Sequence, residues 1–574
     1  MNLKNIYFSW LIYWGKMKGL LNGIAEAIIL LASLASFFVL IYQFGFVQTP
    51  DSVHILERSR PFILLAFFTG ITLRYVVRFQ EIIQEKMLYL DISIYFLLFA
   101  VLSSKIFFKD AIAHSLPYLS FLTKPLFVYV LLLLLSTIHL SRQTFTLMQT
   151  RIKPSLLFLL SFVFVILVAA GLLSLPNATT HRIPFIDALF ISTTSVCVTG
   201  LTTVDVATSF THIGHIIIMI LIQIGGIGVM TFTSFFALSF MGKSSFTSKM
   251  MLKDMLNEDR TGGLFRVILN ILFVTLFIEG IGAYFIYMDV RGSLSGGTQQ
   301  ELFYAMFHAV SAFCNAGIST LSGNMYDPLV ADKYNLHFWI AMLIIFGGLG
   351  FPIVFNYLKL LHHLLMNGIK ILIGKQKHYI HTPRIINVHT YIVVISTLIL
   401  LITGTAFYLF FEYDNTLGDL PLRGKLANAF LGAVTPRTAG FNVADMATLA
   451  PPTLMLTLIL MVIGAAPMST GGGFAIRRAF AIIMMYFMWV AIATWVLSYT
   501  EKGAPLFSLL FEVVSALSTV GLSIDYTPHL TPIGKIIIIS TMLVGRIGVL
   551  AFLVSFCKEY TKKDYTYPQE NILM

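Results

Sequence analysis

Four short segments hold the residues through which this chain could do chemistry. They read FISTTSVCVTGLT from Phe190, FHAVSAFCNAGIS from Phe307, FLGAVTPRTAGFN from Phe430 and FEVVSALSTVGLS from Phe511. Each reaches a glycine ten residues after its Phe: Gly200, Gly317, Gly440 and Gly521. An apolar residue follows (Leu201, Ile318, Phe441, Leu522), then Thr, Ser or Asn. Nothing here is an acid–base pair or a nucleophile with its base. What glycine supplies at a repeated position is backbone freedom, because it adopts positive φ cheaply. An extended, inward-facing turn can then aim carbonyl oxygens at a common axis, where they replace the water around a cation. Four equivalent glycines predict a four-part carbonyl ring.

The stretch before each glycine is long enough for a short helix, whose carbonyl end would favour a cation at the centre. Irregular backbone at membrane depth is tolerated where it lines a cavity or is buried in protein. Asp205, Asp445 and Asp525 follow three of the glycines. They read equally well as a cation-attracting vestibule or as solvated loop charge. Asn324 occupies the corresponding stretch of the second segment, so such a ring would be incomplete. The plainer reading of the four segments, glycine-rich helix ends packed closely, does not account for four aligned copies.

The elements that must position these segments follow from composition. Of 574 residues, 57% are hydrophobic and 11% charged, against about 25% charged in soluble domains. Apolar runs of about twenty residues, enough to span a bilayer as helices, recur along the chain. A soluble enzyme, a disordered chain and a fibrous protein are excluded, and the runs lack the alternation of a β-barrel. The fold class is an all-α polytopic membrane protein. Twelve spans are expected: 25–47, 61–79, 87–104, 125–147, 154–176, 212–240, 264–288, 337–361, 388–412, 453–470, 479–499 and 533–557. The first run, 25–47, does not read as a cleavable signal peptide. Cys197, Cys314 and Cys557 are too few for a disulfide framework.

Lys and Arg concentrate on one side of these spans, including Lys243, Lys249, Lys253, Arg260, Lys370, Arg384, Arg477 and Arg478. That side is expected to be cytoplasmic, with both termini there. The same bias explains the net charge of +11 without nucleic acid. The four glycine segments then all fall on the outer side, between pairs of spans. Further glycines recur in the following spans at Gly225, Gly347, Gly464 and Gly545, which lie 25, 30, 24 and 24 residues after the loop glycines. The unit is span, half-crossing loop, span, and four copies can surround one axis.

Residues 154–557 resemble the membrane pore subunit of the Trk/Ktr potassium-transporter family. The resemblance rests on FIDALFISTTSVCVTGL, the TPRTAGF stretch and the following APMSTGGGFA. It implies four span–pore-loop–span repeats around a pseudo-fourfold pore, in a homodimer with one pore per subunit. It implies potassium as the transported ion when all four loops keep glycine, since members with serine in the first loop tend to pass sodium. Carried over by position, the selectivity filter is Cys197, Val198, Thr199 and Gly200; Cys314, Asn315, Ala316 and Gly317; Arg437, Thr438, Ala439 and Gly440; and Ser518, Thr519, Val520 and Gly521. No other metal site or cofactor is implied.

Arg546 lies mid-span, where the other repeats have Gly226, Gly348 and Ala465. A charge at that depth is costly and usually functional. The resemblance implies an electrostatic barrier below the filter; the alternative is a packing arginine paired with a buried carboxylate. The stretch GAAPMSTGGG, including Gly464, Ala465, Ser469, Thr470, Gly471, Gly472 and Gly473, cannot sustain a straight helix. The resemblance makes it an intramembrane gate loop. The Arg437 side chain is expected behind the filter, with Glu512 or Glu279 as its partner. His308, His362 and His363 read as packed or solvated, not as metal ligands.

The expected divisions are 1–150, an N-terminal bundle of four spans; 151–245, 246–362, 363–474 and 475–560, the four pore repeats; and 561–574, a cytoplasmic tail. The second and third spans loosely resemble voltage-sensor helices through Arg74, Arg78 and Asp91. The fourth carries only Arg142, too little gating charge, so an assembly bundle is the better reading. Bacterial relatives pair this subunit with a cytoplasmic nucleotide-binding ring (TrkA/KtrA-like). The chain has no such domain, and GKSSFTS at Gly242 lacks the context of a phosphate loop. The basic loops and tail are its candidate docking surfaces. A location in the cell (inner) membrane follows, in contact with membrane lipid. The alternatives are a sodium or nonselective cation path, a symporter coupled to H⁺ or Na⁺ through Glu279, and a membrane enzyme, for which no catalytic cluster is evident.

Overall fold

The structure is a computed structural model describing residues 3–83, 88–106, 124–148, 154–228, 264–294, 296–350, short stretches between 353 and 367, 388–464, 475–549 and 552. Its regular elements are helices, apart from one isolated antiparallel bridge between Thr179 and Phe210. Each of the twelve expected spans contains a helix.

Four helices form the N-terminal bundle: α1 (Leu3–Gly45), α2 (Pro50–Ile83), α3 (Leu88–Ile106) and α4 (Pro125–Met148). They bury a core of their own, including Ile29, Leu64, Phe67, Leu98, Leu132 and Leu135. Two arginines are held inside it. Arg74 pairs with Glu26 at 3.6 Å, and the buried Arg60 lies over the Tyr129 ring at 4.9 Å. The side chains of Arg78, Asp91 and Arg142 lie outside the described residues. Near the end of α1, the backbone N–H of Asn177 donates to the Gly45 carbonyl at 3.0 Å. The Asn177 side-chain amide donates to the carbonyls of Phe44 and Phe46. These bonds tie the bundle to the rest of the chain.

The remaining helices repeat in threes. Repeat one has α5 (Pro154–Leu173), α6 (Phe185–Cys197) and α7 (His212–Ile227); repeat two has α8 (Leu264–Val290), α9 (Gly297–Phe313) and α10 (Tyr334–Leu349). Repeat three has α11 (Val388–Glu412), α12 (Leu422–Val434) and α13 (Pro451–Ile463); repeat four has α14 (Ala475–Thr500), α15 (Leu506–Leu517) and α16 (Pro532–Ile547). The middle helices have 13, 17, 13 and 12 residues. At 1.5 Å per residue they reach roughly 18–25 Å, short of the ~30 Å hydrocarbon layer. Their length is compatible with the half-crossings that the sequence predicts.

The outgoing helix of each repeat packs on the middle helix of the next: α7 on α9, α10 on α12, α13 on α15, and α16 back on α6. The ring therefore closes on itself. The seams are built differently. His212 and His215 pack with tilted rings against Phe303, at the first seam. His337 Nδ1 and Asn428 Oδ1 lie 2.7 Å apart at the second. The last, between repeats four and one, holds the buried ion pair Lys535–Asp187 at 2.5 Å.

Candidate functional site: a four-glycine ring

At the end of each middle helix the chain turns through two residues of positive φ. In the first position these are Val198 (54°), Asn315 (61°), Thr438 (73°) and Thr519 (51°); in the second they are Gly200 (104°), Gly317 (67°), Gly440 (72°) and Gly521 (90°). Left-handed backbone is costly for β-branched residues such as valine and threonine, on the order of 1–3 kcal/mol each, and persists where surrounding structure enforces it. The enforcement is visible. Thr194 Oγ1 accepts from Gly200 N–H and Ser515 Oγ from Gly521 N–H, at 2.9 and 3.1 Å. Ser311 Oγ donates to the Ile318 carbonyl and Thr435 Oγ1 to the Phe441 carbonyl, both at 2.7 Å. Beneath them, Phe190, Phe307 and Phe511 are fully buried.

The four glycines meet. A methyl group on Gly200 would lie 2.6 Å from the Ala316 carbonyl oxygen, one on Gly317 2.5 Å from that of Ala439, and one on Gly440 2.6 Å from that of Val520. A methyl on Gly521 would strike the Thr199 carbonyl oxygen. Each glycine thus faces the carbonyl of the next repeat, in cyclic order. No side chain larger than hydrogen fits without moving backbone.

Below the ring lies a cavity of about 180 Å³ lined by Val198, Asn315, Thr438 and Thr519, with Cys314 and Arg546 among its other walls. The Arg546 guanidinium donates to the Gly225 carbonyl. Among the described residues no carboxylate pairs with it. Arg437 does turn behind its loop: Nη2 donates to Thr397 Oγ1 at 3.2 Å and Nε to the Gly464 carbonyl at 3.5 Å. Neither carboxylate expected to pair with it does so. Glu512 accepts from Ser523 and Thr527 hydroxyls, both at 2.5 Å. Glu279 accepts from Gln223 Nε2 at 3.1 Å and lies 3.8 Å from Cys314 Sγ. A hydroxyl and a carbonyl meet the guanidinium instead, while Glu512 holds the loop after Gly521 and Glu279 bonds Gln223 on α7.

Gly225, Gly347 and Gly545 each pack against the carbonyl end of a middle helix, at Val196, Phe313 and Leu517. Gly464 does not. It ends α13 with φ of 66°. The structural counterparts of that break are Gly228, Gly350 and Gly548, which end α7, α10 and α16. Sequence reading missed these three, although GGIG, GGLG and GRIG in three repeats against GAAP in the third carry the signal. It also missed the hydroxyls at Thr194, Ser311, Thr435 and Ser515. Of the gate residues, Ala465, Ser469, Thr470, Gly471, Gly472 and Gly473 lie outside the described residues.

Outside the ring, Asp205 and Asp445 cap short helical turns through Ala207 N–H and Ala447 N–H. Asp205 also accepts from Ser322, in the next repeat, at 2.5 Å. Burial pushes the pKa of the Tyr326 phenol up, and the charges of Asp445, Asp525, Asp205 and Asp327 push it further. Asp327, the residue after Tyr326, is bonded within its own turn, accepting from the Gly323 and Leu329 N–H groups. Asn324 instead donates to the Gly317 carbonyl at 3.2 Å. His308 is a buried brace, 2.9 Å from both the Tyr304 carbonyl and Ser319 Oγ.

The profile of the TrkH family, described as cation transport protein, matches residues 128–485 and 473–566. It thus takes in most of α4, which packs with the N-terminal bundle. The Ktr system potassium uptake protein B of Vibrio alginolyticus is 33% identical over 455 residues, covering 72% of this chain and 93% of that protein. The protein of the same name from Bacillus subtilis is 32% identical over 456 residues, with 74% and 97% covered. A potassium/sodium uptake protein of Enterococcus hirae is 33% identical over 471 residues, with 74% and 98% covered. In fold, the potassium transporter TrkH of Vibrio parahaemolyticus superposes with a TM-score of 0.53 at 15% identity, over 81% of this chain and 96% of that one. The chain is a multi-pass membrane protein and not an enzyme, and it belongs to the TrkH family of cation transport proteins.

Proposed function

We propose that the chain carries potassium ions into the cell through the four-glycine ring, with the carbonyls of Thr199, Ala316, Ala439 and Val520 replacing the ion's water. The cyclic approach of each glycine to the next repeat's carbonyl is the observation that carries this reading. It gives an oxygen-lined constriction on the pore axis, the chemistry by which a dehydrated cation is held. Arg546 below it raises the electrostatic cost of passage, and the stretch from Gly464 to Gly473 acts as the gate. The names of the Vibrio and Bacillus relatives, potassium uptake proteins of a Ktr system, support the ion and a multi-component assembly. On this reading the chain works as a homodimer with a cytoplasmic nucleotide-binding subunit, in the cell membrane with both termini cytoplasmic.

The Enterococcus relative is named for potassium and sodium, so the ion ratio is the quantity to measure. The purified chain in proteoliposomes, with and without the cytoplasmic partner, should pass K⁺ and Rb⁺ well above Na⁺. Gly317→Ser should lower that ratio. Equal flux of the three ions, unchanged by the substitution, would remove selectivity from the glycine ring.

A further inference from the structure

Cys314 stands at the inner mouth of the ring and lines the cavity beneath it. Behind it sits a buried polar cluster with no role in the carbonyl ring. Glu279, 5% exposed, lies on the incoming helix α8, and Gln223 on α7. Cys314 Sγ is 3.8 Å from Glu279 Oε1 and 4.0 Å from Gln223 Oε1. On the cavity wall one turn from Glu279, the Thr275 hydroxyl is fully buried and has no hydrogen-bond partner.

We propose that Cys314, Glu279 and Gln223 form an inhibitory site for a thiophilic divalent cation, zinc or cadmium. The donor set suits such an ion: a thiolate, a carboxylate and an amide oxygen, with cavity water as the fourth ligand. Zinc binds sulfur at about 2.3 Å and oxygen at about 2.0–2.2 Å, so separations of 3.8 and 4.0 Å let one ion bridge the thiolate and either oxygen, and turning the Gln223 amide, whose Nε2 now donates to Glu279, brings in the third donor. On binding, the metal sheds water and the Cys314 thiol releases its proton to the cavity water. The dication, thiolate and carboxylate then sum to zero, leaving Arg546 as the remaining charge on the cavity wall. The occupied site sits where a conducted ion must leave the ring, and blocks it.

The chain's small cysteine count makes the test direct, because Cys197 is fully buried and Cys557 lies beyond α16. Cadmium added to the full chain in detergent should give one equivalent of cadmium–thiolate charge-transfer absorbance, displaced by zinc. That signal should vanish in Cys314→Ser and persist in Cys197→Ser. Glu279→Gln, which keeps the thiol, should weaken binding by about tenfold or more. No absorbance in the full chain, an undiminished signal in Cys314→Ser, or an unchanged affinity in Glu279→Gln would each overturn the site. The inhibitory role rests on the proposed ion path and is read separately. Cadmium on the cavity side should stop Rb⁺ influx, and Glu279→Gln should shift the blocking concentration as it shifts binding. Binding without block would overturn the inhibition while leaving the site.

Discussion

Repeat three and its three counterparts share one plan and part at one level. In repeats one, two and four the outgoing helix runs 16 residues to its terminal glycine. In repeat three it runs 13. One helical turn is therefore missing, at the height where Gly225, Gly347 and Gly545 press on the middle helices. The turn at the carbonyl ring differs there too. In the other three repeats the residue before the glycine donates its N–H five residues back, to Thr194, Ser311 and Ser515; in repeat three Ala439 donates four residues back, to Thr435. The position held by Cys197, Cys314 and Ser518 becomes Arg437, whose guanidinium reaches the Gly464 carbonyl. Three repeats are built to hold the ring still. The third exchanges a close helix contact for a side-chain bridge to the end of its own broken helix.

Alanine at the equivalent glycines should separate the two designs most sharply. Gly545→Ala drives a methyl into the Leu517 carbonyl at the base of α15. Inserted volume in a packed site costs about 1–3 kcal/mol, and here the obstacle is backbone. Thermal unfolding should fall steeply and Rb⁺ flux with it. Gly225→Ala and Gly347→Ala should behave alike. A mild effect at all three would mean that these helices do not clamp the ring.

Arg437→Gln comes next. It removes the charged donor to Thr397 Oγ1 and the Gly464 carbonyl, where bonds to a charged group contribute about 1.5–3 kcal/mol. If the bridge joins ring to gate, the variant should change the open fraction of the path more than its K⁺/Na⁺ ratio. A collapsed ratio with unchanged gating would place Arg437 among the ring's supports instead. Gly464→Ala should act more weakly on the fold than Gly545→Ala. Its methyl would meet only the Met461 carbonyl, at 3.7 Å, leaving the penalty of a backbone conformation that is essentially glycine's alone (φ 66°, ψ −165°), on the order of 1–3 kcal/mol. The protein should remain folded with altered flux. Unfolding as severe as in Gly545→Ala would erase the contrast.

The four loops and the apolar helices were legible because both leave a linear trace. A glycine at fixed distance from Phe repeats four times, and a run of about twenty apolar residues has few other uses. What was not legible depends on the third dimension. Gly464 aligns by spacing with Gly225, Gly347 and Gly545, yet serves as a helix end, because only its helix stops a turn early. Arg437 was rightly expected behind its loop, but charge alone pointed to Glu512 or Glu279. Both carboxylates are already bonded elsewhere, Glu512 to hydroxyls of the loop after Gly521 and Glu279 to the Gln223 amide on α7.

The smallest effect tests the shift in the turn itself. Thr435 Oγ1 donates to the Phe441 carbonyl at 2.7 Å and is 3% exposed. Thr435→Val keeps the shape and removes the donor, a loss of about 1 kcal/mol. Unfolding temperature and K⁺/Na⁺ ratio should both drop slightly. The other repeats carry their hydroxyl one position earlier, where repeat three has Val434. Adding Val434→Thr to Thr435→Val therefore restores the sequence pattern of repeats one, two and four. It should not restore stability, because the turn of repeat three closes one residue tighter and leaves that hydroxyl away from the Phe441 carbonyl. Recovery in the double variant would mean that all four turns are equivalent, and that the asymmetry of repeat three begins only below the ring, at Arg437 and Gly464.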